Sequence, residues 1–170
     1  TDYEVPRGHA GTRVRVYRNL LRGTFSVLHE ERLVEIHPPD LRADGLAAAL
    51  TDLMAPATSA GVGTSVTVEG VDDASDTSSA LVWRVAQEAV RNAIRHAAPT
   101  TVSVRVTGDQ DRMVLDVEDD GRGFTPEAVT DPSHYGLRGL NSLVTDAGGT
   151  LEVLSAPGAG TTVHLEVGKR

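Results

Sequence analysis

Glu88, Asn92 and His96 recur every four residues within Gln87-Glu88-Ala89-Val90-Arg91-Asn92-Ala93-Ile94-Arg95-His96-Ala97. An α-helix stacks that spacing along one face. An acid, a neutral amide oxygen and an imidazole in one row suit a hydrated magnesium ion carrying a phosphate. Leu81, Val82, Val85, Ala86, Ala89, Val90, Ala93 and Ala97 flank the row with apolar surface. Buried without partners, each polar group would cost roughly 1–3 kcal/mol, so the row is expected to face a cleft. The plainer alternative is an amphipathic helix whose polar side faces water, and this segment alone does not separate the two.

Three later segments bear on that choice. Met113-Val114-Leu115-Asp116-Val117-Glu118 reads as a strand that breaks into Asp119-Asp120-Gly121-Arg122-Gly123-Phe124. An aspartate at a strand end followed by alternating glycines lets the backbone close around a planar or phosphorylated ligand, although an ordinary acidic turn uses the same residues. Tyr135-Gly136-Leu137-Arg138-Gly139-Leu140 opens a helical run over 137–147 that stops at Gly148-Gly149, a C-cap signal. Glycines at a helix start expose amides where the helix dipole favours anions. Pro157-Gly158-Ala159-Gly160-Thr161-Thr162 forms a turn between two alternating runs, 151–155 and 163–167, the pattern of a hairpin.

The elements that must position these segments are set by periodicity. Strands are predicted over 64–69, 101–107, 113–118, 151–155 and 161–167, and helices over 43–59, 78–98 and 137–147, with Pro56 perturbing the first. This order predicts an α+β fold, a two-layer α/β sandwich with a mixed sheet and three helices on one face. Ser103, Arg105 and Thr107 alternate with valines, which predicts a wetter opposite face. Ahead of this, 13–36 carries Val16, Leu20, Val27, Leu28, Leu33 and Ile36 among many charges. It reads as an N-terminal helix with Gly23 as a weak point and without a clean heptad. Residues 1–12 read as unstructured. His37-Pro38-Pro39 would end the helix and stiffen its link to the helix predicted over 43–59, which divides the chain into 1–40 and 41–170.

Composition narrows the function. The 170 residues suit a single main domain. With no cysteine, a disulfide framework and a thiolate zinc site are excluded. A net charge of −8 argues against nonspecific nucleic-acid binding. Lys169 is the only lysine, and no Gly-x-x-x-x-Gly-Lys loop occurs, so a P-loop nucleotidase is excluded and any side-chain cation at a phosphate must be arginine. The apolar runs fall short of the roughly 20 residues that span a bilayer, and no signal pattern opens the chain. A cytoplasmic domain is expected, compatible with a membrane anchor elsewhere in a full-length protein.

The order of the four segments is more specific than any one of them. A polar-striped helix, a strand ending Asp-x-Gly-x-Gly, then Gly-Leu-Arg-Gly, then Gly-x-Gly-Thr resembles the ATP-binding domain of bacterial two-component sensor histidine kinases. That domain belongs to the superfamily that includes type II topoisomerases, heat-shock chaperone ATPases and mismatch-repair ATPases. The wording "QEAVRNAIRHA", "DDGRGF", "GLRGL" and "PGAGTTV" looks most like the nitrate-sensor type. The resemblance covers about 40–167. "EIHPPDLRADGLAAAL" is similar to the join between the dimerisation hairpin and the ATP-binding domain, so 1–40 would be a partial hairpin helix with its linker. The usual arginine of that join is His37 here.

The resemblance implies ATP and Mg2+ as ligands, and phosphoryl transfer to a histidine as the reaction. Asn92 would ligate the metal. Glu88, as the catalytic acid, would hold a metal-bound water or orient the attacking group. Arg95 and His96 would lie near the phosphates. Asp119 would accept a hydrogen bond from the adenine amine, directly or beside a water; Asp120 stands where the family more often has asparagine. Gly121 and Gly123 would let the loop approach the base, and 125–135 would form a lid. Gly136, Leu137 and Gly139 would frame the lid's hinge and anion-facing amides. Arg138 would reach a phosphate or simply lie exposed on the first helical turn, and Thr161 would bond near the adenine. The implied partners are a response regulator and the dimerisation hairpin of the same kinase, a homodimer at full length, in a phosphorelay. His29-Glu30 is the one phosphoacceptor candidate, but the prolines come too soon for a return helix, so the reactive histidine is expected upstream. The alternatives are an anti-sigma-factor-like serine kinase and a noncatalytic ATP-binding or interaction module.

Overall fold

The computed structural model describes residues 3–6, 13–18, 25–29, 32–36, 43–125 and 135–170. The chain forms two compact units, Thr1–Asp40 and Leu41–Arg170.

The first unit corrects the sequence reading. In place of a helix over 13–36 there is an antiparallel sheet of β1 (Tyr3–Pro6), β2 (Arg13–Arg18), β3 (Phe25–His29) and β4 (Arg32–Ile36), in that order. β1 also falls within the stretch expected to be unstructured. The reason lies in Arg13-Val14-Arg15-Val16-Tyr17-Arg18, which opens with period-two alternation of arginine and valine and is rich in β-formers. Val16 pairs with Val27, and Val27 with Val34, in one cross-strand row. His29 ends β3 opposite Arg32 rather than standing on a helix. The His37-Pro38-Pro39 join lies outside the described residues.

The second unit is the predicted sandwich. Its sheet contains β5 (Gly63–Glu69), β6 (Thr101–Gly108), β7 (Arg112–Asp119), β8 (Thr150–Ser155) and β9 (Thr161–Gly168), in the order β5-β6-β7-β9-β8. β5 and β6 are parallel and the other pairs antiparallel, as a helical crossover between β5 and β6 requires. Three helices, α1 (Ala43–Ser59), α2 (Asp76–Asn92) and α3 (Tyr135–Asp146), accompany it. Val102, Val104 and Val106 of β6, Met113, Leu115 and Val117 of β7, and Val163, Leu165 and Val167 of β9 share one core with Leu46, Leu50, Val82, Val85, Val90 and Val144 of the helices. Period two in the strands puts these apolar positions on one face. On the other face Thr67, Arg105, Asp116, His164 and Glu152 form one cross-strand row, in which His164 Nδ1 lies 2.7 Å from Asp116 Oδ1.

Local chemistry sets the helix limits. Ser75 caps α2 by accepting the Ser78 amide at 3.1 Å. At the end of α1, Val62 donates to Ala57 O and Gly61, at φ +83°, to Thr58 O. At the end of α3, Gly149 donates to Val144 O and Gly148, at φ +71°, to Thr145 O. Both are Schellman caps with glycine in the left-handed position. Pro56 does not end α1, which runs on to Ser59. One departure bears directly on the site: the helix predicted to reach 98 gives way after Asn92 to a π-helical turn, Ala93–Ala97, and then to Ala98 at φ +49°.

Candidate functional site

One cleft gathers residues from widely separated segments. Ala89, Asn92, Ala93, His96 and Ala97 form one wall, and Val117, Asp119, Arg122, Gly123, Phe124, Thr161 and Val163 complete the lining. The cavity between these walls holds about 90 Å³. Antiparallel register accounts for the meeting: Asp119, at the end of β7, pairs with Val102 of β6 on one side and Thr161, at the start of β9, on the other.

The π-helical turn fixes the facing wall. A π turn is wider than an α turn and occurs often at functional sites. Its last residue, Ala97, accepts the Arg122 amide at 2.8 Å, so helix end and glycine loop are bonded backbone to backbone. A Cβ on Gly121 would collide with Ala97. One on Gly123, at φ +57°, would collide with the Ala156 carbonyl. The two glycines therefore serve loop packing, the first against the helix end and the second against the β8–β9 turn, a more specific reason than ligand approach alone.

Asp119 and Asp120 are adjacent but lie in opposite environments. Burial pushes the Asp119 carboxyl above its ordinary value and the Asp120 charge adds to the effect, while hydrogen bonds from the Gly121 amide and from the Thr161 side chain and backbone pull against it. The Gly121 amide lies 2.9 Å from Asp119 Oδ1. Asp120 faces away from the cleft lining. It accepts the Thr100 hydroxyl, the Thr100 amide at 2.7 Å and the Thr101 amide at 2.8 Å. Those bonds, led by the Thr100 hydroxyl, hold its carboxyl far below the usual range. Three donors converge on it, which two carboxylate oxygens satisfy and the single amide oxygen of asparagine serves less well. That accounts for aspartate at a position where the resemblance leads one to expect asparagine.

The predicted polar row divides. Asn92 and His96 line the cleft, whereas Glu88 does not. Glu88 is buried, with Oε2 paired to Arg91 and Oε1 without a hydrogen-bond partner. Arg95 is exposed and outside the lining. Gly136, Leu137, Arg138 and Gly139 occupy the first turn of α3; Gly139 is exposed with open space around it. The lid expected over 125–135 falls mostly outside the described residues. Among the described residues no three His, Asp or Glu side chains converge as a metal cage. Arg122 and Phe124 line the cleft, although neither residue type announces that role in the sequence. Ser155, equally silent there, lies behind the lining, bonded to Phe124 and Gly160.

Comparison with known proteins agrees with this geometry. Sensor protein VraS of Staphylococcus haemolyticus is 32% identical over 85 residues, which are 50% of this chain and 24% of the relative. VraS of Staphylococcus aureus (strain COL) is 31% identical over the same shares. The match thus spans about a quarter of the length of these curated relatives. The histidine kinase domain of the Erythrobacter litoralis EL346 blue-light activated histidine kinase shares the fold at a TM-score of 0.60 and 20% identity, over 77% of this chain and 61% of that one. The mycobacterial sensor histidine kinase MprB does so at 0.54 and 21%, over 72% and 93%. The family model described as histidine kinase-, DNA gyrase B- and HSP90-like ATPase matches residues 77–170, the stretch that carries both walls of the cleft. The chain belongs to that ATPase family.

Proposed function

We propose that this chain is the ATP-binding part of a bacterial sensor histidine kinase, presenting the γ-phosphate of magnesium-bound ATP to a histidine on a dimerisation hairpin. The observation that supports this most is the convergence of Asn92, Asp119, Gly123 and Thr161 on one cleft in a chain whose relatives include sensor proteins. The residues fit the ligands. Asp119 is a half-buried acceptor suited to an adenine amine; guanine presents a carbonyl there, and acceptor against acceptor is rejected. Asn92 would hold the metal through its side-chain oxygen, and the phosphates would supply further ligands, as magnesium sites commonly arrange. Glu88 has a buried carboxylate oxygen free to take a hydrogen bond, so it would hold a metal-bound water or orient the attacking group. Arg95 and His96, with Arg138 and the amides of Gly136, Leu137 and Gly139 at the start of α3, would face the phosphates. Bound magnesium-ATP would supply the phosphoryl group and offset the charge that develops on its oxygens.

A response regulator would receive the phosphate, and the hairpin would come from the same homodimeric kinase in the cytoplasm. The reactive histidine would lie outside this chain. The relatives support the sensor-kinase class and not the narrower nitrate-sensor subtype. One further reading gains from the structure: a hairpin helix over 13–36 would argue against a serine kinase, which has no such hairpin, and strands stand there instead. The two readings separate chemically, because phosphohistidine is lost in acid and phosphoserine survives it.

Calorimetric titration of magnesium-ATP and magnesium-GTP is expected to show ATP-selective binding. Asp119→Ala should weaken it by about 1.5–3 kcal/mol, the range for a hydrogen bond to a charged group, and Asn92→Ala should remove its magnesium dependence. Unaltered ATP affinity in both variants would defeat the assignment.

A further inference from the structure

Glu88 is 9% exposed, and its two carboxylate oxygens are treated differently. Oε2 is paired with Arg91 Nη2, while Oε1 is buried without a hydrogen-bond partner. The Arg91 side chain is half in water, at 49% exposed. An i, i+3 pair with so exposed a partner is weak. It does not offset the burial of a carboxylate oxygen that meets no donor. Stability therefore does not account for the pair, and a donor to Oε1 is the missing piece.

Helix geometry indicates where that donor would stand. Arg91 and Asn92 follow Glu88 by three and four residues on α2. At about 100° per residue they lie about 60° to one side of Glu88 and about 40° to the other. Pairing with Arg91 draws Oε2 to the first flank and leaves Oε1 to the second, the flank of Asn92. Asn92 lines the cleft and Glu88 does not, so a direct ligand bond from Glu88 is not what this arrangement serves. Magnesium keeps several of its waters, and such a water is a donor of the kind that Oε1 lacks.

We propose that Arg91 is a positioning residue for Glu88. Its guanidinium holds Oε2 so that Oε1 accepts from a water on the magnesium that Asn92 would ligate. Partners beyond the ligands of a metal site commonly orient the inner groups in this way. The proposal rests on the nucleotide reading above. It deepens that reading by assigning the orientation of Glu88 to a residue that touches neither metal nor nucleotide.

The test measures how much magnesium strengthens ATP binding. Calorimetry on the intact chain would titrate ATP with magnesium and with EDTA into wild type, Arg91→Gln, Arg91→Lys, Glu88→Ala and the double variant Glu88→Ala/Arg91→Gln. Wild type is expected to bind ATP more tightly with the metal. Arg91→Gln and Glu88→Ala should each lower that enhancement about tenfold, as loss of an outer partner does. Arg91→Lys, which keeps the charge, should retain most of it. With Glu88 already removed, Arg91→Gln should lower the enhancement no further. That comparison holds even if Arg91→Gln alone folds poorly, because the double variant carries no unpaired buried carboxylate. An enhancement preserved in Arg91→Gln, whatever its melting temperature, would reduce the pair to a structural contact and overturn the proposal. So would a further loss in the double variant, and both results would leave Asn92 as the ligand. A wild type indifferent to magnesium would overturn the metal reading and this proposal with it.

Discussion

The two ends of the five-stranded sheet treat their polar groups in opposite ways. At the end away from the cleft, the polar groups are paired. Asp109 accepts the Asp111 and Arg112 amides at 2.9 and 2.8 Å, which hold its carboxyl below the ordinary value. Lys169, 4% exposed, reaches Asp73, and that hydrogen bond lowers the Asp73 carboxyl in turn. Ser78 donates to Gly168 O at 2.6 Å, and the Ser75 amide to Lys169 O at 2.7 Å. At the cleft end Asp119 is desolvated, Glu88 keeps an unpaired oxygen, the helix widens into a π turn, and Ala98 takes a left-handed conformation. Among the described residues, the one non-glycine residue at positive φ and one of the two orphaned buried side-chain atoms, the other being Trp83 Nε1, thus lie toward the cleft end. The closed end fastens the start of α2, and the open end is the finish of the same helix.

Substitutions at each end test that contrast. The largest effect is expected at Gly160, where alanine must adopt φ +73° and collide with Asp119 O. Gly160→Ala should cost about 2–4 kcal/mol in urea unfolding and abolish nucleotide binding. Gly158→Ala, at φ +79° but in open space, should cost only about 1–2 kcal/mol. Equal losses would mean that contact between the two loops is unimportant. At the closed end, Ser75→Ala removes the cap of α2 and should cost about 1 kcal/mol with nucleotide affinity unchanged. A matching fall in affinity would show that the two ends are coupled through the helix.

The smallest effect sharpens the contrast most. Because the Asp119 carboxyl is raised in the fold, its contribution to stability is fully present below the unfolded pKa and is lost as pH rises through the folded value. Asp119→Asn should therefore melt slightly above wild type at pH 7, with the gap closing as pH falls below the carboxylate range. Asp73 and Asp109 carry the opposite sign. Their contribution is present above the unfolded pKa and disappears as pH falls through the lowered folded values. A variant that melts below wild type at pH 7 would show that Asp119 bears no net desolvation cost.

Most of the second unit is legible in the sequence because periodicity and caps agree there. Val102, Val104 and Val106 alternate on a strand, and Gly148 ends a helix as its C-cap signal predicts. The first unit is not, although residues 13–16 show period two. Its charges and the Pro-Pro break also match a hairpin helix of the kind the resemblance implies, and that match hides the local pattern. Asn92 and Asp119 are legible because residue type and spacing announce their chemistry. The separation of Glu88 from that row is not, since it depends on a pairing with Arg91 that ordinary helical spacing also allows. Ser155 carries no signal, because a serine at a strand end looks the same whether it faces water or ties two loops together.

The π turn has a meaning in heredity as well as in geometry. A π turn holds one residue more than the α turn it replaces, which is what one in-frame codon leaves when inserted into a helix held at both ends. Left to propagate, the extra residue would rotate every later residue of the helix by about 100°. The bond between Ala97 and Arg122 confines the surplus to Ala93–Ala97 instead. Asn92 stands just before it and His96 within it, so deleting one codon between them would turn His96 about the helix axis without changing either residue.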